Sequence, residues 1–166
     1  MKKYAVLSLI LCFVMLFVFA GCGEKSESSD TPAKDVVLSD ILSEINAEFS
    51  ISEDDMMAVE TTEDLELFYN VAPEDVKQFA AQTTKNTATD IAEIILVEAV
   101  DSAAADRVFE ALEYRYSSQR DLCASYSAEL LAIIDKCSVE RNGNVVSLIM
   151  SNDVKEIKAF YNAFFE

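Results

Sequence analysis

Residues 91–116 read IAEIILVEAVDSAAADRVFEALEYRY, and this stretch predicts a buried strand followed by a long helix. The run Ile94-Ile95-Leu96-Val97 is compact, apolar and rich in β-branched residues, which is typical of a strand in the middle of a sheet. Asp101 or Ser102 can cap the following helix, because both side chains accept hydrogen bonds from backbone N–H groups. That helix is predicted over residues 102–123, with a buried stripe made of Ala105, Val108, Phe109, Leu112 and Tyr116.

The sequence on either side of this stretch predicts the remaining elements. Apolar residues at helical spacing indicate helices over residues 36–48, 61–69, 128–135 and 153–165. Alternating polarity predicts a strand over residues 76–84. Asn142-Gly143-Asn144 separates two further strand-like runs, at residues 138–141 and 145–150, and Asn-Gly in this setting is a strong hairpin signal.

After residue 75 the predicted order is strand, strand, helix, strand, strand, helix. Two hairpins that are each followed by a helix are typical of the α+β class. We therefore expect a small antiparallel sheet of about four strands in two hairpins, with the helices packed on one face. One such domain accounts for residues 35–166, which is enough chain to bury a core.

The N-terminal segment has the pattern of a bacterial lipoprotein. Lys2-Lys3 precedes an apolar run of 17 residues, and the sequence then continues Gly21-Cys22. This order predicts a signal peptide over residues 1–21, with a lipid attached to Cys22. An uncleaved membrane anchor is the alternative, although the run is short for a span of about 20 residues. Residues 22–34 are polar and Ser-rich, as in a flexible tether. The predicted location is the extracytoplasmic face of the cell membrane.

The charge balance excludes several classes of function. The chain has 13 Lys and Arg against 30 Asp and Glu, and it contains no His. A net charge of −17 argues against nucleic-acid binding, which depends on cations placed on phosphates. Without His there is no Ser-His-Asp triad, and nothing in the sequence indicates a cofactor.

The acidic residues are concentrated in the first part of the predicted domain. Residues 35–76 hold 13 acidic residues and no cation. Such a stretch can bind Ca²⁺ or a cationic partner, but it lacks the Asp-x-Asp-x-Asp-Gly spacing of a calcium loop. A solvated acidic face is the favoured interpretation, and no metal site is predicted.

Two cysteines remain after the signal peptide and the lipidated residue are set aside. Cys123 and Cys137 lie in a domain that is predicted to be exported, where disulfides form. A disulfide between them is one alternative, and a pair of buried free thiols is the other, because spacing alone does not establish bond geometry.

Several of these features together resemble one family. They are the N-terminal lipobox (Phe19-Ala20-Gly21-Cys22), the Ser-rich tether, Glu93 opening an apolar strand, a helix carrying Arg115 and Gln119, then Tyr126 and the Gly143-Asn144 hairpin. This combination is similar to small lipoproteins of Gram-positive bacteria that carry a DUF4358-type domain. The resemblance covers residues 35–166 and implies a location and a fold class, but no activity.

Four residues are candidates for ligand or partner contact. Arg115 and Gln119 are one helical turn apart, so both can face a common ligand, with Tyr126 folding back toward them and Glu93 at a strand start. The alternative is an exposed Arg115–Gln119 pair, a Tyr126 ring packed under the following loop, and a Glu93 that bonds backbone amides. The sequence therefore predicts a lipid-anchored binding or accessory module of unknown ligand, whose partners are the membrane and another envelope protein. An envelope hydrolase that uses carboxylates and a purely structural lipoprotein are the other hypotheses.

Overall fold

The computed structural model describes residues 36–166. The predicted signal peptide (1–21), the tether (22–34) and the lipidation site at Cys22 lie outside the described residues. The helices are α1 (Leu38–Glu48), α2 (Thr62–Tyr69), α3 (Ser102–Tyr126), α4 (Ala128–Ile134) and α5 (Val154–Asn162), with a 3₁₀ turn at Pro73–Asp75. The strands are β1 (Met56–Val59), β2 (Val76–Thr84), β3 (Glu93–Ala99), β4 (Val139–Asn142) and β5 (Val145–Met150).

The five strands form one open antiparallel sheet in the order β1-β2-β3-β5-β4. Strand β3 lies at its centre, because β3 pairs with β2 on one side and with β5 on the other. The α+β class is thereby confirmed. The prediction of about four strands was one short, since β1 has only four residues and two of them are exposed. A strand this short and this exposed leaves little alternation to detect.

Helices cover both faces of the sheet, so the prediction of helices on one face was wrong. Adjacent residues of a strand point to opposite faces. Glu93 bonds Arg115 of α3. The next residue, Ile94, is paired with Gln82 and points to the same face as Gln82, whose side chain bonds Asn46 of α1. Helices α2 and α3 therefore contact one face of the sheet, and α1 contacts the other. Double coverage explains why all six residues of β5 are buried.

The turn and cap residues behave as their sequence predicts. Asp101 is the N-cap of α3, and its Oδ1 accepts a hydrogen bond from the backbone N–H of Ala104 at 2.8 Å. Gly143 has a φ of +61° in the two-residue turn between β4 and β5, a conformation that glycine adopts at low cost. The predicted hairpin is confirmed. Within residues 36–166, no helix is both long enough and apolar enough to cross a bilayer.

Cys123 and Cys137 are both buried and both free in the structure. Of the two alternatives for this pair, the disulfide is absent here and the buried thiols are present. The Cys137 Sγ donates to the backbone carbonyl of Ile133 at 3.5 Å. Burial raises the pKa of the Cys137 thiol, which keeps it in the less reactive protonated form.

Candidate functional site

The four residues predicted for ligand contact lie around a single cavity. Glu93, Arg115, Gln119 and Tyr126 all line a space of about 320 Å³ between α3 and the connection from β2 to β3. The one-turn spacing of Arg115 and Gln119 places them side by side, and Tyr126 at the end of α3 closes one wall. The structure thus brings together residues that are up to 33 positions apart in the sequence.

Glu93 is at the start of β3, and its register directs it toward α3 rather than α1. Its side chain is 2% exposed. Arg115 binds it with two parallel hydrogen bonds, from Nε to Oε2 at 3.1 Å and from Nη2 to Oε1 at 2.8 Å. The Tyr69 hydroxyl donates to the same Oε1 at 3.0 Å. Three donors therefore satisfy this buried carboxylate, and a bidentate pair of this kind is among the stronger protein hydrogen bonds.

The guanidinium of Arg115 is held on three sides. It lies 5.4 Å from the centroid of the Tyr69 ring, a cation–π distance. With the Gln119 amide in the orientation that satisfies both groups, its oxygen accepts from Arg115 Nη1 at 2.9 Å and from Nη2 at 3.2 Å. Arg115 therefore has a fixed geometry and a charge that Glu93 compensates locally.

The ionisation of this network follows from its burial. Burial, together with the charge and hydrogen bond of Glu93, raises the pKa of Tyr69 well above its ordinary value. Burial opposes the charge on Arg115, but the hydrogen bonds and charge of Glu93 outweigh it, so the pKa of Arg115 is raised. The tyrosine is consequently neutral and the arginine charged across the physiological range.

The rest of the cavity wall combines polar side chains with the apolar Ile91, Leu122 and Met150. Thr83, Thr84 and Thr87 contribute hydroxyl groups, and Asp90 contributes a carboxylate. Asp90 Oδ1 accepts from the backbone N–H groups of Ile91 at 2.7 Å and Ala92 at 3.0 Å, which fixes the start of β3. Such a wall can hold a ligand through hydrogen bonds. It does not offer Glu93 as a free acid or nucleophile, because both oxygens of Glu93 already accept hydrogen bonds.

Tyr69 and a second ion pair of this face were not predicted from the sequence. Tyr69 is 24 positions from Glu93, and no spacing rule connects them. Asp75 and Arg107 form a second bidentate pair, with Arg107 Nε donating to Asp75 Oδ2 at 2.9 Å and Nη2 donating to Oδ1. Asp75 lies in the acidic stretch that was interpreted as a solvated face, and its burial departs from that interpretation. Among the described residues, no group of three His, Cys, Asp or Glu side chains is placed to hold a metal ion.

Comparison with known proteins places this domain in a family. The family model for a domain of unknown function, DUF4358, matches residues 49–151, which is more than half of the chain. Neither the curated proteins nor the solved structures contain a match. The matched residues include β1 to β5, the buried Glu93–Arg115 pair and the whole of α3. The chain therefore belongs to the DUF4358 family.

Proposed function

We propose that this protein is a lipid-anchored, extracytoplasmic binding module whose ligand occupies the cavity beside Arg115. The observation that carries the proposal is the fixed arginine at the wall of a cavity of about 320 Å³, which three threonines also line. This volume lies at the lower end of the range of about 300–1,000 Å³ that is usual for small-molecule sites. A small polar molecule fits it better than a large apolar one.

The geometry of Arg115 supports binding because the side chain is already immobilised. A preorganised group loses little further conformational entropy when a ligand arrives. Its bonds to Glu93 and Gln119 would otherwise have to be assembled during binding. A site held by such supporting contacts is typical of functional sites rather than of ordinary surface.

The charge of the cavity narrows the class of ligand. Glu93 compensates Arg115, and Asp90 adds a negative charge at the wall. An anionic ligand would gain little from the paired arginine and would be repelled by Asp90. We expect an uncharged, hydroxyl-rich or amide-rich molecule that accepts from the arginine and exchanges hydrogen bonds with the threonines.

A thermal-shift experiment with defined probes tests this site. The purified full chain is screened with neutral monosaccharides, polyols and uncharged amides, each at millimolar concentration. At least one probe is expected to raise Tm, since a ligand that binds only the native state stabilises it. Gln119→Leu should abolish that shift, and Glu44→Ala, at an exposed position of α1 on the other face of the sheet, should retain it. Equal shifts in all three proteins, or no shift with any probe, would contradict the proposal.

The lipid anchor is tested separately at Cys22. The N-terminal sequence supports it through the order of basic, apolar and small residues. Cys22→Ser should release the protein from the membrane fraction or leave an unprocessed form of altered mobility. Retention in the membrane at unchanged mobility would reject lipidation, without any bearing on the cavity.

A further inference from the structure

Exposed large apolar side chains gather on one surface of the molecule. Leu67 is 77% exposed and Tyr114 is 72% exposed, and about half of each of Phe68, Leu122 and Tyr126 is exposed. These five residues lie on α2 and α3 and define what we call the α2–α3 surface. Leu67, Phe68 and Tyr114 line one cavity and Leu122 and Tyr126 line another, and exposed apolar groups that cluster in this way mark interaction sites on proteins.

The arrangement of the α2–α3 surface suits a rod-like partner. Tyr114, Ser118, Leu122 and Tyr126 recur every four residues along α3, so they form one ridge about 18 Å long. At its N-terminal end the ridge adjoins a cavity of about 200 Å³, which Leu67, Phe68 and Tyr114 line together. The small Ser118 leaves a gap between the larger side chains of the ridge.

The charges beside this surface are acidic. Glu66, Glu110 and Asp121 are exposed next to the apolar residues. The arginines of the same helix are each paired within the chain: Arg107 with Asp75, Arg115 with Glu93, and Arg120 with Asp135. The surface therefore presents an apolar centre with a negative border, and a complementary partner carries an apolar centre with a positive border.

We propose that the α2–α3 surface docks an amphipathic helix of another protein, with apolar residues on one side and Lys or Arg flanking them. Strand addition is disfavoured, because α2 and α3 bond their own backbone and offer no open strand edge here. A second copy of this chain would bring acidic borders together. Anionic lipid headgroups would meet the same repulsion.

This inference goes beyond the proposed ligand site and stands independently of it. Leu122 and Tyr126 also line the cavity beside Arg115, so the docked helix borders that cavity. Tyr114 and Tyr126 are of the residue type that often anchors protein interfaces, and the aliphatic Leu67 and Leu122 beside them offer no hydrogen bonds to a small polar ligand.

Photocrosslinking of the full chain in the cells that produce it tests the docking surface. The photoreactive amino acid p-benzoylphenylalanine replaces Ser117 or Ser125, two exposed serines that border the ridge without belonging to it. The matched control replaces Ser43, an exposed serine on α1. We expect a discrete adduct from positions 117 and 125 and none from position 43. Mass spectrometry of the adduct should identify a Lys- or Arg-rich amphipathic segment of another protein.

Charge reversal then tests how that adduct forms. The combined substitutions Glu66→Lys, Glu110→Lys and Asp121→Lys should lower the adduct yield at least fivefold, at equal abundance of the protein. The matched set Asp40→Lys, Glu44→Lys and Glu48→Lys reverses three exposed acids of α1 and should leave the yield unchanged. The proposal is overturned by no adduct, by an adduct of two copies of this chain, by a crosslinked segment without basic residues, or by equal yields from both charge-reversed proteins.

Discussion

Strand β3 presents different chemistry to the two faces of the sheet. Toward α3 it directs Glu93, which bonds Arg115 and Tyr69 in a buried charged network. Toward α1 it directs Ile94 and Leu96 into an apolar layer. On that side, neutral amides hold the helix: Gln78 bonds the backbone at both Val36 and Leu38 of the α1 segment, and Gln82 bonds Asn46. The carboxylate on that side, Glu98, also bonds Gln78 and pairs with Lys77, but it is less deeply buried than Glu93.

The α1 face of the sheet is therefore built for stability. The α3 face gives up some stability to hold a buried charged network. A buried ion pair contributes little net stability, because desolvation offsets the attraction between its charges. Neutral amide bonds and apolar packing avoid most of that cost. The charged face is also where the cavity beside Arg115 and the α2–α3 surface are found. The α3 side of the sheet is therefore the side we assign to binding.

The largest expected effect tests whether both faces are genuine core. Leu148 and Ile149 are neighbours on β5 that point to opposite faces, and both are fully buried. Leu148→Ala and Ile149→Ala should each lower the free energy of unfolding by about 4 kcal/mol, since each leaves a cavity in a packed layer. Urea unfolding measures both. A cost below about 1 kcal/mol for either variant would mean that its face is poorly packed.

The next effect tests the charged network itself. Arg115→Ala leaves Glu93 buried without its partner, and the free energy of unfolding should fall by about 3 kcal/mol. Adding Glu93→Gln to this variant removes the buried charge and still accepts the Tyr69 hydroxyl, so at least half of the loss should be recovered. If the double variant unfolds as easily as Arg115→Ala in urea, the loss is one of packing and the charge is irrelevant.

A smaller effect is expected in α5, which contacts α1. The Tyr161 hydroxyl is buried close to the Ser147 side chain but has no partner at good hydrogen-bond geometry among the described residues, and burial raises the pKa of this phenol to about 12. Because an unpaired buried hydroxyl costs free energy, Tyr161→Phe should stabilise the protein by about 1 kcal/mol. Calorimetry detects this as a higher Tm. A lower Tm would show that the Tyr161 hydroxyl makes a hydrogen bond that stabilises the folded state.

The pH dependence of stability tests the second ion pair, between Asp75 and Arg107. Hydrogen bonds from Arg107 lower the pKa of Asp75 below its usual value of 3.8. A carboxyl whose pKa is lower in the folded state stabilises that state above about pH 4 and loses this contribution as the pH falls through the folded-state pKa. Asp75→Asn should therefore flatten the fall in urea midpoint below about pH 4. An unchanged slope would show that other carboxyls account for acid unfolding.

No effect at all is expected from reductant. Cys123 and Cys137 are free thiols, so no cross-link adds to the packing of the sheet. The Tm of the protein should be the same with and without a reducing agent. A decrease in Tm on reduction would show that Cys123 and Cys137 form the disulfide that the sequence allowed as an alternative.

The sequence predicted most elements because their signals are local. The apolar run of β3, the Asp101 cap and the Gly143 turn each depend on residues close together in the chain, and all three are confirmed. Double coverage of the sheet was missed, although the continuous run from Ile94 to Val97 already indicated it: a strand with one solvated face alternates, and this one does not.

The candidate site was predictable only where its residues are close together in the sequence. Arg115 and Gln119 were found because helical geometry fixes neighbours one turn apart. Tyr69 and the Asp75–Arg107 pair were not, because these contacts join residues 24 and 32 positions apart and depend on how α2 and α3 pack together. Local rules contain no information about such packing.

Both outer strands of the sheet, β1 and β4, have only four residues. The inner strand β2 has nine. An exposed strand edge is a template on which another chain can add a strand, and short edges limit that growth. The acidic residues Asp54, Asp55 and Glu60 flank β1 and add mutual repulsion. The short, acid-flanked edges of the described domain thus oppose edge-to-edge aggregation wherever copies are crowded together.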